Sequence, residues 1–290
     1  MPAWGDLARR SRRGAALGVV LVAAGAGLGP VPGGAQVADL VSPTAFRVCA
    51  DPANPPLSDK AGDGFENKIA ELMAENLGRN LQYNWFPMAM GFVRRTLTAV
   101  QCDVIIGYAQ GDDLVLNTNA YYTSAYAVVT RADSDLADVT TIEDPRLEGR
   151  KVGYVANTPP GTHLARLGRL PDAVSYDLMV DTRLYHPNED MLADLAAGRI
   201  DAALMWGPIA GPLARGYDGK LKVTPLIHET APPRLYYRIT MGVRPGEDRW
   251  KRTLNSEIRK LQPQIDAILV DYGVPILNDD GTALKEVQTP

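Results

Sequence analysis

The sequence predicts an α/β protein of two similar lobes, each built on a doubly wound sheet, with two extended hinge segments joining them. Three observations lead there. Residues 46–107 and about 150–215 each read as strand, helix, strand, helix, strand. A strongly β-prone stretch, 121–130, separates the two units. Two further extended runs, 221–227 and 237–243, follow the second unit and lead into an amphipathic tail. Parallel strands with helical crossovers form sheets covered by helices, and two such units need connections that let the chain leave and return. The expected boundaries are 45–128 with 236–290 for the first lobe and 129–235 for the second.

In order, residues 46–50 form an apolar strand that breaks at Asp51-Pro52-Ala53-Asn54-Pro55-Pro56, a run that cannot continue a ladder. Phe65, Ile69, Leu72, Met73 and Leu77 make one helical stripe, with Gly78 at the C-cap position. Leu81, Tyr83 and Trp85 alternate as in a half-buried strand, and Phe92, Thr96 and Val100 mark a short helix before the strand 102–107. Residues 108–120 read as a loop. In the second unit, 151–155 is a strand, 156–162 a tight turn, 163–170 a short helix and 174–178 a strand. Asn188 can cap a helix through Ala197, ended by Gly198, and 200–206 is a buried strand followed by a helix from Gly207-Pro208. Trp250, Leu254, Ile258 and Leu261 share a helical face in the tail, Pro263 interrupts it, and Ile265, Ile268, Leu269 and Tyr272 resume it.

Residues 1–35 read as a signal peptide. Arg9-Arg10-Ser11-Arg12-Arg13 is a charged start, 14–28 is apolar and small, and Gly33-Gly34-Ala35 suits cleavage. Removing 1–35 takes away four Arg and Asp6 and leaves a net charge of −7. An acidic chain without basic clusters is a poor nucleic-acid binder, and no later segment is long and apolar enough to span a bilayer. A secreted chain whose two cysteines are Cys49 and Cys102 suggests one disulfide. The loop it closes contributes roughly 4 kcal/mol in the chain-entropy account.

Several motifs resemble those of family 3 periplasmic solute-binding proteins, from about residue 45 to the end. They are Gly64-Phe65-Glu66, Cys102-Asp103-Val104, Tyr121-Tyr122, Leu147-Glu148-Gly149-Arg150-Lys151-Val152-Gly153 and Leu195-Ala196-Ala197-Gly198-Arg199-Ile200-Asp201-Ala202. The resemblance implies a two-lobed periplasmic-binding-protein fold of type II and a periplasmic location. More narrowly, Phe46-Arg47-Val48-Cys49-Ala50-Asp51-Pro52, Gly64-Phe65-Glu66-Asn67-Lys68-Ile69-Ala70 and Gly91-Phe92-Val93-Arg94 resemble the MoxJ/XoxJ type encoded beside quinoprotein methanol dehydrogenases. That implies a non-catalytic accessory of a PQQ-dependent methanol dehydrogenase, of the calcium or the lanthanide branch. The alternative is the solute-binding subunit of an importer for a small molecule other than an amino acid. Amino-acid binders of this fold hold the ligand carboxylate with an Arg shortly before the position of Tyr121-Tyr122. Here that neighbourhood reads Gln110-Gly111-Asp112-Asp113, and Trp206 stands where such binders place an acid for the ammonium. Both of the strong ionic contacts are therefore missing.

Ligands in open α/β sheets lie outside the carboxyl ends of the strands. The expected cleft residues are Asp51, Asn54, Pro56, Glu66, Phe86, Met88, Met90, Phe92, Tyr108, Asp112 and Asp113 on one side. Asn157, Thr158, His163, Trp206 and Pro208 are expected on the other. Trp206, Pro208, Phe92, Met88 and Met90 suggest an apolar patch for a protein partner or peptide segment, since aromatic and Met side chains suit adaptable contact. His163, His186 and His228 are not clustered as zinc ligands are. Asp133, Asp135 and Asp138 lack the glycine of a calcium loop and read as a solvated loop. No nucleophile elbow, phosphate loop or acid–base pair emerges, so neither a cofactor nor catalysis is expected.

Overall fold

The computed structural model describes residues 40–178 and 180–287; the signal-peptide reading of 1–35 lies outside them. The strands are β1 (Ala45–Ala50), β2 (Ala53–Asn54), β3 (Ser58–Asp59), β4 (Asn80–Trp85), β5 (Val104–Ala109), β6 (Leu116–Asn117), β7 (Tyr122–Arg131), β8 (Val152–Val155), β9 (Val174–Tyr176), β10 (Ala202–Trp206), β11 (Leu221–Pro225) and β12 (Tyr236–Val243). The helices are α1 (Phe65–Leu77), α2 (Phe92–Arg95), α3 (Pro159–Arg166), α4 (Pro187–Ala196), α5 (Gly207–Arg215) and α6 (Asp248–Tyr272). The strand order is β4-β1-β5-β12-β7-β10-β8-β9, with β11 on β7 and β6 on β12. β4, β1 and β5 are parallel to one another, as are β9, β8 and β10. Each triplet is one of the two units expected from the sequence.

Strand β7 belongs to both halves. Its first part pairs antiparallel with β12, from Tyr122 opposite Ile239 to Ala125 opposite Tyr236. Its second part pairs with β10 and β11, from Tyr126 opposite Trp206 to Arg131 opposite Leu221. At the change of partner the Tyr126 N–H donates to the Leu235 carbonyl and the Leu226 N–H donates to the Tyr126 carbonyl, both at 2.8 Å. Two extended segments therefore cross between the halves side by side.

Alternation along the strands divides the core. Val48, Val104 and Ile106 face α1 and α6, packing with Phe46, Ile69, Met73, Trp250, Leu254 and Leu269. Cys49 and Ile105 face the opposite way, into a small cluster with Cys102, Phe92, Leu97 and Val115. Cys49 and Cys102 are disulfide-bonded with Cα atoms 5.5 Å apart, within the usual span. In the second half, Val128 and Leu204 face one cluster and Val129 and Met205 the other.

Four expected elements differ. Helix α6 runs unbroken through Pro263. Pro263 and Arg259 are both exposed, so the carbonyl that loses its helical donor faces water. Helix α3 begins at Pro159 rather than His163 and α4 at Pro187 rather than Asn188. Proline suits those first positions because its missing N–H has no helical partner there. The helix from Phe92 is a single turn ending at Arg95. The cation-loop aspartates are a solvated surface, as read: Asp138 pairs with Arg146 at 2.6 Å and Asp135 with Arg150 at 2.5 Å. Among the described residues no helix is long and apolar enough to cross a membrane.

One buried ionic centre ties the first half together. Asp103 accepts from Arg47 Nη2 at 2.7 Å and Arg244 Nη2 at 2.8 Å on one oxygen. Its other oxygen accepts from Arg47 Nε at 2.8 Å and the Ser42 N–H at 3.1 Å. The Asp103 side chain is 1 % exposed and that of Arg244 7 %. Removing one partner of a buried pair strands the other charge, which costs about 3–5 kcal/mol. Asp103→Ala is therefore expected to lower the unfolding free energy by about that amount in denaturant titration. Asp135→Ala, at an exposed pair, should stay within measurement scatter.

Candidate functional site

A cavity of about 210 Å³ opens where the carboxyl ends of β1, β4, β8, β9 and β10 meet. Its walls are mostly apolar: Leu57, Met88, Tyr126, Val155, Trp206 and Ile209. Polar groups come from Asn54, Thr158, Thr182 and Asn188, with Asp177, Tyr185, His186 and Glu189 toward solvent. No Arg or Lys lines it among the described residues.

Asp51, where β1 ends, joins the two sides. It is fully buried. One carboxylate oxygen accepts from the Ala53 N–H at 2.9 Å, closing the turn that follows the strand, and the other accepts from the Met88 N–H at 2.6 Å. The Thr182 hydroxyl, from the segment between β9 and α4, lies 2.8 and 2.9 Å from the two oxygens. A charged acceptor with no cation is thus satisfied by neutral donors.

Glu66, in the first turn of α1, is buried beside it. Removal from water, and then the charge of Asp51, push its carboxyl up to about 8. The space is bounded by Gly107, at φ +77°, where an added Cβ would come within 1.8 Å of Glu66 Oε1. Only glycine fits that position.

Tyr126, Trp206 and Tyr237 meet edge to face. Ring centroids are 5.3 Å apart for Tyr126–Trp206, 5.9 Å for Trp206–Tyr237 and 6.4 Å for Tyr126–Tyr237. Such contacts fix ring orientation, and Tyr126 and Trp206 both present surface to the cavity.

The expected site residues separate into groups. Asn54, Met88, Thr158 and Trp206 line the cavity, and Asp51 bonds to two of its lining residues. Pro56 is buried, its carbonyl accepting the first N–H of α1 at 3.0 Å. Phe86 and Phe92 pack together at 6.5 Å in the disulfide cluster, and Phe92 is buried, because the single turn of α2 lays it against Cys49. Met90 is 82 % exposed and outside the cavity. Tyr108 donates to Asp112 at 2.6 Å on the loop after β5, and neither they nor Asp113 reach the cavity. Asn157 faces a separate surface depression beside Pro159. Pro208 is buried in the first turn of α5.

His163 is buried as well. Its Nε2 lies 2.7 Å from the Pro233 carbonyl and therefore carries the proton, which leaves Nδ1 to accept from Arg166 at 3.1 Å. It braces α3 against the segment before β12. The apolar patch expected from Trp206, Pro208, Phe92, Met88 and Met90 does not come together.

Sequence reasoning missed Tyr126, Thr182, Tyr185, Asn188 and Glu189. The segment after β9 carries four of them, and the rule that sites lie at strand carboxyl ends points to it as much as to the segments after β8 and β10.

A two-lobed periplasmic binding protein of the type II fold is what this architecture defines. No family model matches the chain. Protein MoxJ of Methylorubrum extorquens is 33 % identical over 261 residues, 83 % of this chain and 85 % of that protein. Protein MoxJ of Paracoccus denitrificans is 30 % identical over 263 residues, covering 84 % and 95 %. The crystal structure of the periplasmic binding protein XoxJ from Methylobacterium extorquens AM1 superposes with a TM-score of 0.69 at 42 % identity, covering 81 % of this chain and all of that one. The chain belongs to the MoxJ family.

The raised carboxyl of Glu66 has a signed consequence for stability. Between about 4.5 and 8 the folded protein holds a proton that the unfolded chain has released, so stability falls as pH rises through that window. Glu66→Gln is expected to flatten the fall. Measured by denaturant unfolding, the variant should gain on wild type by about 3–5 kcal/mol between the two ends of the window.

Proposed function

We propose that the chain is a non-catalytic periplasmic accessory of a PQQ-dependent methanol dehydrogenase, engaging the enzyme's polypeptide at its cleft and assisting maturation or activation. Membership of the MoxJ family supports the partner. The observation that carries the mode of engagement is the cleft lip after β9. Leu184 and Tyr185 are 69 % and 61 % exposed there, next to a cavity walled by Met88, Tyr126 and Trp206. Exposed apolar side chains beside a concave aromatic wall suit a protein segment. In this reading residues 45–128 with 236–287 move as one lobe and 129–235 as the other, pivoting where β7 changes partner.

The cavity itself favours a second reading, a solute receptor of an importer for a small molecule other than an amino acid. A cavity walled without Arg or Lys lacks the bidentate partner a free carboxylate needs.

The two readings part in reconstitution. Dehydrogenase produced or activated with the wild-type protein is expected to show a higher yield or rate than without it. Leu184→Ser with Tyr185→Ala, both exposed and so harmless to the core, should weaken co-purification by about 1–3 kcal/mol if they anchor the partner. Should neither protein alter the enzyme's yield or rate, the importer reading takes over.

A further inference from the structure

We propose that the cavity binds an organic cation, an alkylammonium or guanidinium group, whether carried by a free small molecule or by a Lys or Arg side chain. The inference names the chemistry of the same cleft and rests on the accessory reading only for which of those two sources is used.

Three features converge on this class of ligand. The first is the sign of the cavity. Asp177 and Glu189 line it, and neither has an ion-pair partner among the described residues, while no Arg or Lys does so. The nearby carboxylates Asp181 and Asp194 are neutralised, by Arg183 at 2.6 Å and Arg199 at 2.6 Å. The free charge at this opening is therefore negative. An anion would enter without compensation, whereas a cation is drawn in by low-dielectric walls that focus the field.

The second feature is aromatic. Tyr126 and Trp206 are locked edge to face at 5.3 Å, with Tyr237 behind them at 5.9 Å from Trp206. Their half-buried rings present surface to the cavity without paired cations of their own. A cation within about 6 Å of an indole or phenol face is attracted by the ring quadrupole, most of all once desolvated.

The third is the neutral polar set. Asn54 and Asn188 both line the cavity, with acceptor oxygens for N–H donors, and Asp51 is already fully engaged by Ala53, Met88 and Thr182. Size agrees too: about 210 Å³ admits a side-chain-sized group. Apolar wall, aromatic face and free carboxylate at the opening form a site for a charged head on a short apolar stem.

The test uses the mature protein and isothermal titration, with intrinsic tryptophan fluorescence as a second signal. The probes are butylammonium, butylguanidinium and tetramethylammonium, the neutral analogues butanol and neopentyl alcohol, the anion butyrate, and blocked tripeptides with a central Lys, Arg or norleucine. Cations are expected to bind at least about tenfold tighter than their neutral analogues, with butyrate not binding. Glu189→Gln with Asp177→Asn should remove most of that preference, by about tenfold, while binding of the alcohols stays unchanged. Blocked Lys or Arg peptides binding more tightly than the free cations assign the site to a polypeptide, and the reverse order assigns it to a small molecule; either result supports the inference. Equal binding of cations and neutral analogues, binding of butyrate, or no heat from any cation overturns it. A protein that fails here yet raises the dehydrogenase's yield loses this inference alone. One that binds cations and leaves the enzyme unchanged loses the accessory reading instead.

Discussion

Everything at the cleft depends on one strand serving two sheets. At Ala125–Tyr126 the strand leaves β12 and passes between β10 and β11, so it carries the backbone from one parallel triplet to the other. The first part of β7 is clamped from outside. The Tyr121 carbonyl accepts from Gln262, the Ser124 hydroxyl donates to the Pro275 carbonyl at 2.6 Å, and the Leu277 N–H donates to the Thr123 carbonyl at 2.8 Å. Helix α5 then approaches so closely that a Cβ on Gly207 would lie 2.4 Å from the Ala125 carbonyl. Glycine at 207 is what allows Trp206 to reach Tyr126. The aromatic wall of the cavity is thus a consequence of the hinge.

Among the described residues the first half buries four carboxylates: Asp266 pairs with Lys285 at 2.6 Å, and the other three are each treated differently. Asp103 has two guanidinium partners and organises residues from Ser42 to Arg244 around one point. Asp51 has no cation but collects two backbone N–H groups and a hydroxyl. Glu66 has neither solution, and its carboxyl rises until the proton stays on near neutral pH. Burial of a charge demands pairing, solvation by dipoles or neutralisation. Of these three, the two unpaired cases lie beside the cleft and the paired one in the structural centre.

Local pattern carried the fold a long way. The stripe from Phe65 to Leu77 and the strands around Val104 and Leu204 are where their periodicity puts them, because a core-facing side repeats along one element. The cysteine pair followed from compartment and number, and the MoxJ/XoxJ resemblance from short motifs. The site was less legible. Asp51 and Thr182 are 131 residues apart, and nothing near either announces the other. Phe92 and Pro208 look like rim residues when only spacing is available. They are core because the disulfide and the α5 turn create small apolar pockets that claim them. Pro263 misled for the opposite reason: a helix accepts proline on its wet side.

The Asp51–Thr182 contact also bears on how the two halves are held. In a binding protein whose ligand carries charges, those charges bridge the lobes and the closed arrangement depends on the ligand. Here the bridging acceptor belongs to one half and the donor to the other, so part of the link is internal. A hydrogen bond to a charged group contributes about 1.5–3 kcal/mol to the arrangement that contains it, ~10–100-fold in an equilibrium between arrangements. The rest of the cavity lining is apolar walls, Asn54 and Asn188, and, among the described residues, carboxylates without ion-pair partners at its mouth. In the proposed reading an occupant meets a shape already set by the protein's own hydrogen bond, and selection among occupants falls to charge and ring faces rather than to the act of closing.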